Sequence, residues 1–475
     1  MVSTGTTTFP MGEKLNMDPQ IVTNHSLSSR TAIAFLDYAV KQGNCLDRLT
    51  LLDESLSGYA GHYEFPLQSW PWFISQETRQ MLQVSACQIP ALVYRAVRAE
   101  FAGDASRFAS FFSTAEILGE IFLQSGMDLS QLIVRVDAVL TARGLKIMEI
   151  NTGPNVGGWQ VQWIEKQYRK HPKLAPFFES TETRVTNIPL EYMKHMVRQG
   201  RACLAQQDAP VNVLFIIEKD GMPPELEQSL AEVFGDALRE LDATGELFFE
   251  HNFTQLRFER NAVFYRGKRL ASLASYSTND TTPPPTELYR CFLSSAVAWS
   301  NNPFIPVIGD KRSLAILGKH KDTALFSDEE RRLIEGYIVW SVPVAPGTVR
   351  YEGSSIDLKT LLIERQHDFV VKVARGYAGQ DVFVGRFQSA QVWQEAVERA
   401  FAEGAWLAQE YCESLPFYGQ AGEHGYAVHD VVWGVFSFGL QYGGCWLRLM
   451  GKNIGDGVIN SAKGAMETVV YEVDE

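Results

Sequence analysis

The 475-residue chain carries 43 basic and 56 acidic residues, a formal charge of −13, and is 45% hydrophobic, 12% aromatic and 21% charged, the composition of a soluble globular protein. An acidic chain offers no broad electrostatic footprint to a phosphate backbone, so nucleic acid is excluded as a bulk partner while a local basic pocket for a nucleotide is not. No apolar run approaches the roughly 20 residues needed to span a bilayer, and Met1–Pro10 lacks the basic-then-apolar pattern of a secretion signal, which predicts a cytoplasmic protein with no membrane partner.

Residues 1–30, rich in Ser, Thr and Asn without periodicity, read as an irregular N-terminal arm. Residues 31–130 read as a helical region. Ile33, Leu36 and Val40 mark a helix over Thr31–Lys41, Ser75 starts a long run kinked at Pro90, and Ser113 with Glu116 forms a capping box ahead of Ile117. In residues 131–205 the period changes. Leu132–Leu140 and Leu145–Asn151, rich in β-branched residues and joined by Thr-Ala-Arg-Gly, read as a hairpin, followed by helical stretches around Trp159–Tyr168 and Leu190–Leu204. Residues 206–309 open on Val211–Ile217, a continuous apolar run expected of a buried parallel strand, with a helix over Pro224–Leu241. Strands are expected at Phe248–Phe249, Val263–Tyr265 and Leu288–Phe292. Residues 310–475 hold a capping-box helix at Ser327 and Glu330 and a helix at Ala390–Ala402. Their strands are expected at Phe369–Val373, Val382–Val384, Trp406–Tyr411, Ala427–Phe438, Cys445–Met450 and Gly457–Ile459. The six cysteines are scattered without a CxxC pair, so neither a zinc site nor a disulfide framework is indicated.

Two stretches carry chemistry. In a strand, residues two apart share a face, so Arg135 and Asp137 point one way, as do Glu149 and Asn151. With a three-residue loop at Ala142–Gly144, Asp137 falls opposite Glu149 and Arg135 opposite Asn151. Val134, Val136, Ala138, Leu140, Met148 and Ile150 then form the apolar face. Facing carboxylates repel unless something positive lies between them, and a divalent cation is the natural neutraliser. Magnesium takes one or two carboxylates plus phosphate oxygens, so Asp137, Glu149 and Asn151 are the metal-ligand candidates and Arg135 a donor to phosphate or oxyanion. The alternative is a solvated hairpin face of alternating charge.

The second stretch is Phe369–Val382. A lysine within an apolar strand is costly to bury unless its ammonium meets an anion, which makes Lys372 a phosphate-ligand candidate. The loop Arg375-Gly376-Tyr377-Ala378-Gly379-Gln380 has the glycines to fold over phosphates and donate backbone N–H groups. The alternative is an edge-strand lysine beside an ordinary loop. Gln409, Glu410, Tyr411 and Cys412 end a buried-looking strand in polar residues; the backbone of such a strand end could bond an adenine edge, which the sequence alone does not show. Lys311 and Arg448 are further candidates for phosphate or substrate, with Asn460 and Lys463 weaker ones. No HExxH, GxSxG, Walker loop or GxGxxG is present, which disfavours histidine-centred hydrolysis and P-loop or Rossmann chemistry.

Together, Arg135-x-Asp137 with Glu149-Ile150-Asn151, and Val371-Lys372 with the glycine loop and Gln409-Glu410-Tyr411, resemble the signature of ATP-grasp ligases. The metal hairpin comes first and the nucleotide clamp last, an order similar to that of the circularly permuted, glutathionylspermidine-synthetase-like branch. The resemblance implies an α+β, α/β protein with a permuted ATP-grasp core in residues 131–205 and 310–475. It places a small pre-ATP-grasp α/β domain at 206–309 and the helical region before them. It implies an ADP-forming carboxylate–amine ligase working through an acylphosphate, with ATP and magnesium (two ions, manganese substituting) as cofactors. Lys311, Lys372 and the Arg375–Gln380 loop would contact phosphates, Glu410–Cys412 adenine, and Asp137, Glu149 and Asn151 the metal. Arg135, Lys372 and Arg448 would act on the reacting groups. Partners would be a small carboxylate and an amine such as an amino acid, peptide or polyamine, with a homodimer left open. Rival readings are a phosphotransferase on the same fold, a ligase loading a carrier protein, and a non-catalytic nucleotide-binding protein. Two positions depart from the family pattern: Gly-Tyr-Ala-Gly in the loop and Cys412 in the hinge.

Overall fold

The computed structural model describes residues 17–41, 63, 65–206, 208–217, 222–276, 283–376, 379–421, 425–452 and 454–475. A seven-stranded sheet organises them. Its order is Trp72–Ile74, Met466–Glu472, Gln441–Gly451, Tyr426–Phe438, Ile133–Thr141 and Gly144–Thr152, with Phe417–Gln420 also pairing on Tyr426–Phe438. Only the pairing of the first strand is parallel. Alternation along these strands sends Val134, Val136, Ala138, Leu140, Trp433, Val435, Leu447 and Leu449 to one face. There they pack with Leu82, Val93, Val97, Leu314 and Leu317 from the helices Gln76–Cys87, Ile89–Glu100 and Arg312–His320. The opposite face is the one that carries Asp137 and Glu149.

A second sheet is parallel, in the order Ala298–Trp299, Ser272–Ser275, Val213–Ile216, Leu247–Glu250. Helices Ile188–Ala202 and Pro224–Glu240 cover one side of it. The third is antiparallel, Ser341–Pro343, Trp406–Glu410, Phe369–Val373, Val382–Val384. It packs Phe369, Val371, Trp406 and Ala408 on the helices Leu358–Glu364 and Ala390–Glu403, with Trp393 1% exposed. Losing a tryptophan buried so completely typically costs about 3–5 kcal/mol. The side chains on the other side of this sheet face the acidic hairpin.

Several expectations are corrected. The described part of the N-terminal arm is a helix, Pro19–Ser26, capped by Asp18 and pinned by His25, which stacks between Trp72 and Tyr418. The run kinked at Pro90 is two helices breaking at Gln88, with Pro90 in the first turn of the second, where its missing N–H costs nothing. Ser113 caps no helix start. It ends Ala105–Phe112 in the left-handed conformation (φ 48°), and the next helix begins at Glu116 without a side-chain cap. Leu288–Phe292 lies in a helix, Thr286–Leu293, because Leu288 and Cys291 fall on one buried side of it. Gly457–Ile459 is not a strand, and Met466–Glu472, which was not expected, is. The Ser327–Glu330 capping box is formed in both directions. Among the described residues the cysteines are free thiols, and no helix is long and apolar enough to cross a membrane.

Candidate functional site

The hairpin turns after Thr141, which pairs with Gly144, so its loop is two residues, not three. Gly144 takes φ 89°, as expected of the residue closing the turn. That turn alone would put Asp137 opposite Met148. A bulge between Asp137 and Ala138 absorbs one extra residue, and beyond it Asp137 pairs with Glu149 and Arg135 with Asn151. The bulge takes Met148 off the apolar face, where Ile147 stands instead, and packs it with Val139, Val339, Cys412 and Val432 between the two sheets.

The carboxylate repulsion expected at this pair is answered by side chains of the chain itself. Asp137 accepts from Arg135 Nε (2.8 Å) and Nη2 (3.0 Å) and is ion-paired with Arg448 Nη2 (2.7 Å). Arg135 Nη1 donates to the Gly157 carbonyl (2.8 Å). Glu149 is held more loosely, by Asn151 Nδ2 (3.2 Å) and Lys311 Nζ (3.4 Å). Burial works against the Glu149 charge, yet Lys311, Lys372 and Arg135 outweigh it and hold this carboxyl well below the usual carboxylate range.

Lys372 sits on a strand flanked on both sides, not on an edge, and is 4% exposed. Its ammonium donates to the Met148 carbonyl (2.8 Å) and to Gln409 Oε1 (2.9 Å). Burial lowers its pKa to about 8, with Glu149 pulling the other way. Lys311 Nζ also reaches the Gly376 carbonyl (3.4 Å). Arg375 joins Arg312 on Asp310, whose side chain is wholly buried. Gly379, at φ +73°, approaches Val458 and Lys463 so closely that a Cβ there would lie 2.8 Å from Val458 Cγ1. Tyr377 and Ala378 lie outside the described residues.

The end of the Trp406–Glu410 strand borders the apolar cluster of Val139, Val339, Cys412 and Val432. Burial pushes the Cys412 thiol up to about 12, so it is neutral and inert. Glu410 pairs with Arg143 of the hairpin turn (2.8 Å), and the Tyr411 N–H is used by the Asp368 carbonyl (2.7 Å). Arg448 lies against Trp446, its guanidinium carbon 5.2 Å from the ring centroid. The indole is seated over Gly434 and Gly158, where a Cβ would fall 2.0 and 2.1 Å from its atoms. Trp159 and Trp163 contact each other edge to face at 5.2 Å within the larger core cluster, and Tyr168 is fully buried.

The sequence reading missed Asp310, the Met148 carbonyl and Trp446. Asp310 had a signal, a charged Asp-Lys-Arg triplet after an apolar run. A carbonyl exposed by a bulge has none.

No protein-family model matches the chain. No curated protein matches it either. Solved structures do. A glutathione-synthetase-like effector from Globodera pallida, in its apo form, superposes at a TM-score of 0.52 with 13% identity, over 96% of this chain and 98% of that one. A protein provisionally named a gamma-glutamylcysteine synthetase, from Methylobacillus flagellatus KT, gives 0.39 at 12% identity, over 80% and 87%. The chain is thus a mixed α/β protein with several sheets that shares the fold of the glutathione-synthetase-like effector.

Proposed function

We propose that the chain is an ADP-forming carboxylate–amine ligase with an ATP-grasp core in circularly permuted order. One observation carries the reading. Among the described residues, Lys311, Lys372, Arg135 and Arg448 converge with only Asp137 and Glu149 among them, all largely buried. Burying unbalanced charge is costly, and a polyanion such as a triphosphate balances this cluster. The fold shared with a glutathione-synthetase-like protein supports the same class. The permuted order is supported by the acidic hairpin preceding, by 224 positions, the lysine strand it touches.

In this reading Lys372, Lys311 and the Arg375–Gln380 loop hold the phosphates, and adenine enters the apolar cluster of Met148, Val139, Val339, Cys412 and Val432. The Glu149 carboxylate and Asn151 amide have the oxygen donors that magnesium takes, and the ion would supply charge neutralisation on the phosphates. A free carboxylate is a poor electrophile. The substrate carboxylate attacks the γ-phosphorus, ADP leaves, and the acylphosphate is then attacked by an amine that expels phosphate. The protein positions and neutralises, and Lys372, Arg135 and Arg448 face the developing charge.

The test is ADP formation with a panel of amino acids, peptides and polyamines, with product masses. Amine-dependent turnover yielding a product of the summed mass less water is expected. A stable phosphorylated product formed without amine would make the chain a phosphotransferase, and nucleotide binding without turnover would make it non-catalytic.

A further inference from the structure

The sequence treats Asp137 and Glu149 as equal partners in a metal site, but their surroundings differ. Asp137 is 4% exposed, takes two charge-assisted hydrogen bonds from the Arg135 guanidinium (2.8 and 3.0 Å) and forms an ion pair with Arg448 Nη2 at 2.7 Å. An ionised carboxylate offers about four acceptor positions; Arg135 takes two, and the Arg448 guanidinium crowds the others. Glu149 has longer contacts, 3.2 and 3.4 Å, with an amide and an ammonium, and is the carboxylate with room for a metal.

The donors that Asp137 leaves over point to its role. Arg448 is 5% exposed, and among the described residues its Nε finds no acceptor. The neighbouring Trp446 Nε1 is likewise buried without one. Two arginines on one aspartate also leave a unit of positive charge. We infer that Asp137 is a positioning residue that holds the Arg135 and Arg448 guanidiniums as a paired seat for a substrate oxyanion, and that it does not ligate metal. The fixed planar fork of arginine suits it to such a seat, since each guanidinium can keep its contact with the aspartate and turn other N–H groups to a second anion. This deepens the ligase reading and rests on it for the nucleotide arm of the test alone.

Two probes separate the roles. Mn2+ with ATP, followed by electron paramagnetic resonance, reports the metal, and inorganic phosphate, followed by calorimetry without nucleotide, reports the seat. Asp137→Asn is expected to leave Mn2+·ATP affinity within about twofold, whereas Glu149→Gln, removing a ligand, weakens it at least about tenfold. Phosphate affinity is expected to respond the other way, falling about tenfold in Asp137→Asn and holding in Glu149→Gln. Equal loss of Mn2+·ATP affinity in both variants overturns the inference, as does phosphate binding that Asp137→Asn leaves untouched or that the wild type lacks. Should Asp137→Asn fail to fold, Arg448→Lys decides. It keeps the charge, loses the fork and frees one Asp137 oxygen, so phosphate binding weakens with Mn2+·ATP unchanged, while tighter Mn2+ binding would make Asp137 a metal ligand after all. A wild type that binds phosphate but no Mn2+·ATP would sink the nucleotide reading and leave the seat standing.

Discussion

The Lys372 ammonium donates to the Met148 carbonyl across 2.8 Å and 224 residues of chain. Met148 is the extra residue of a bulge, so its carbonyl is free of the regular ladder. One irregularity in the hairpin thereby aligns Asp137 with Glu149 and supplies the acceptor that fixes the lysine beside them.

Lys372 is the cation whose titration should be visible. Its ammonium has a pKa near 8 in the free protein, and only the charged form attracts phosphate. Anion binding favours the protonated state, so affinity for ATP should be constant below that value and fall as pH rises through about 8. Lys372→Met should bind about tenfold more weakly or worse and lose this pH dependence. Calorimetric titrations between pH 7 and about 9.5 check both, and a parallel pH decline in the variant would assign the titration elsewhere.

Glu467 predicts a stability effect of opposite design. It is buried, accepts from Tyr63 and Ser461, and burial raises its carboxyl to about 9 from 4.5. The native state therefore holds a proton that the unfolded chain releases. This group does not oppose folding below about pH 4.5, and its contribution turns unfavourable progressively as pH rises toward 9. Glu467→Gln should match the wild-type melting temperature at acid pH and exceed it at pH 8, provided Gln keeps both partners.

Gly434 and Trp446 form a size match. Adding a methyl at Gly434 would put it 2.0 Å from Trp446 Nε1, so Gly434→Ala should cost about 1–3 kcal/mol by overpacking. The double variant with Trp446→Leu should recover part of it, measured by denaturant unfolding as a mutant cycle. Additive losses would mean the two do not press on each other.

Asp310 is the buried anion for Arg312 (2.8 Å) and Arg375 (3.3 Å). Asp310→Ala strands the Arg312 guanidinium, itself 8% exposed, and should destabilise the protein by about 3–5 kcal/mol. Glu149→Gln, which removes the counter-charge shared by Lys311, Lys372 and Arg135, should also lower the denaturation midpoint at neutral pH.

The alignment of Asp137 with Glu149 was legible because alternation and a turn glycine restrict the hairpin, although the expected loop and the actual bulge reach that register by different routes. Lys372, Phe369–Val373 and Val382–Val384 were legible from the conflict of a lysine inside an apolar run. The Ser272–Ser275 strand was not, since Ser-Leu-Ala-Ser has no β-branched residue and owes its conformation to pairing between Val213–Ile216 and Ala298–Trp299. The helix at Thr286–Leu293 went unseen for the converse reason, a short apolar stretch that fits either period. Asp137's commitment to two arginines was hidden because Arg448 arrives from a strand more than 300 positions away in the chain.

That last separation bears on how the molecule is made. A ribosome exposes the acidic hairpin long before Arg448, and until Tyr426–Phe438 and Gln441–Gly451 have emerged the hairpin has no neighbour on its Asp137 side. The growing polypeptide must carry an unpaired strand edge through most of translation, a state in which chaperone protection is worth most.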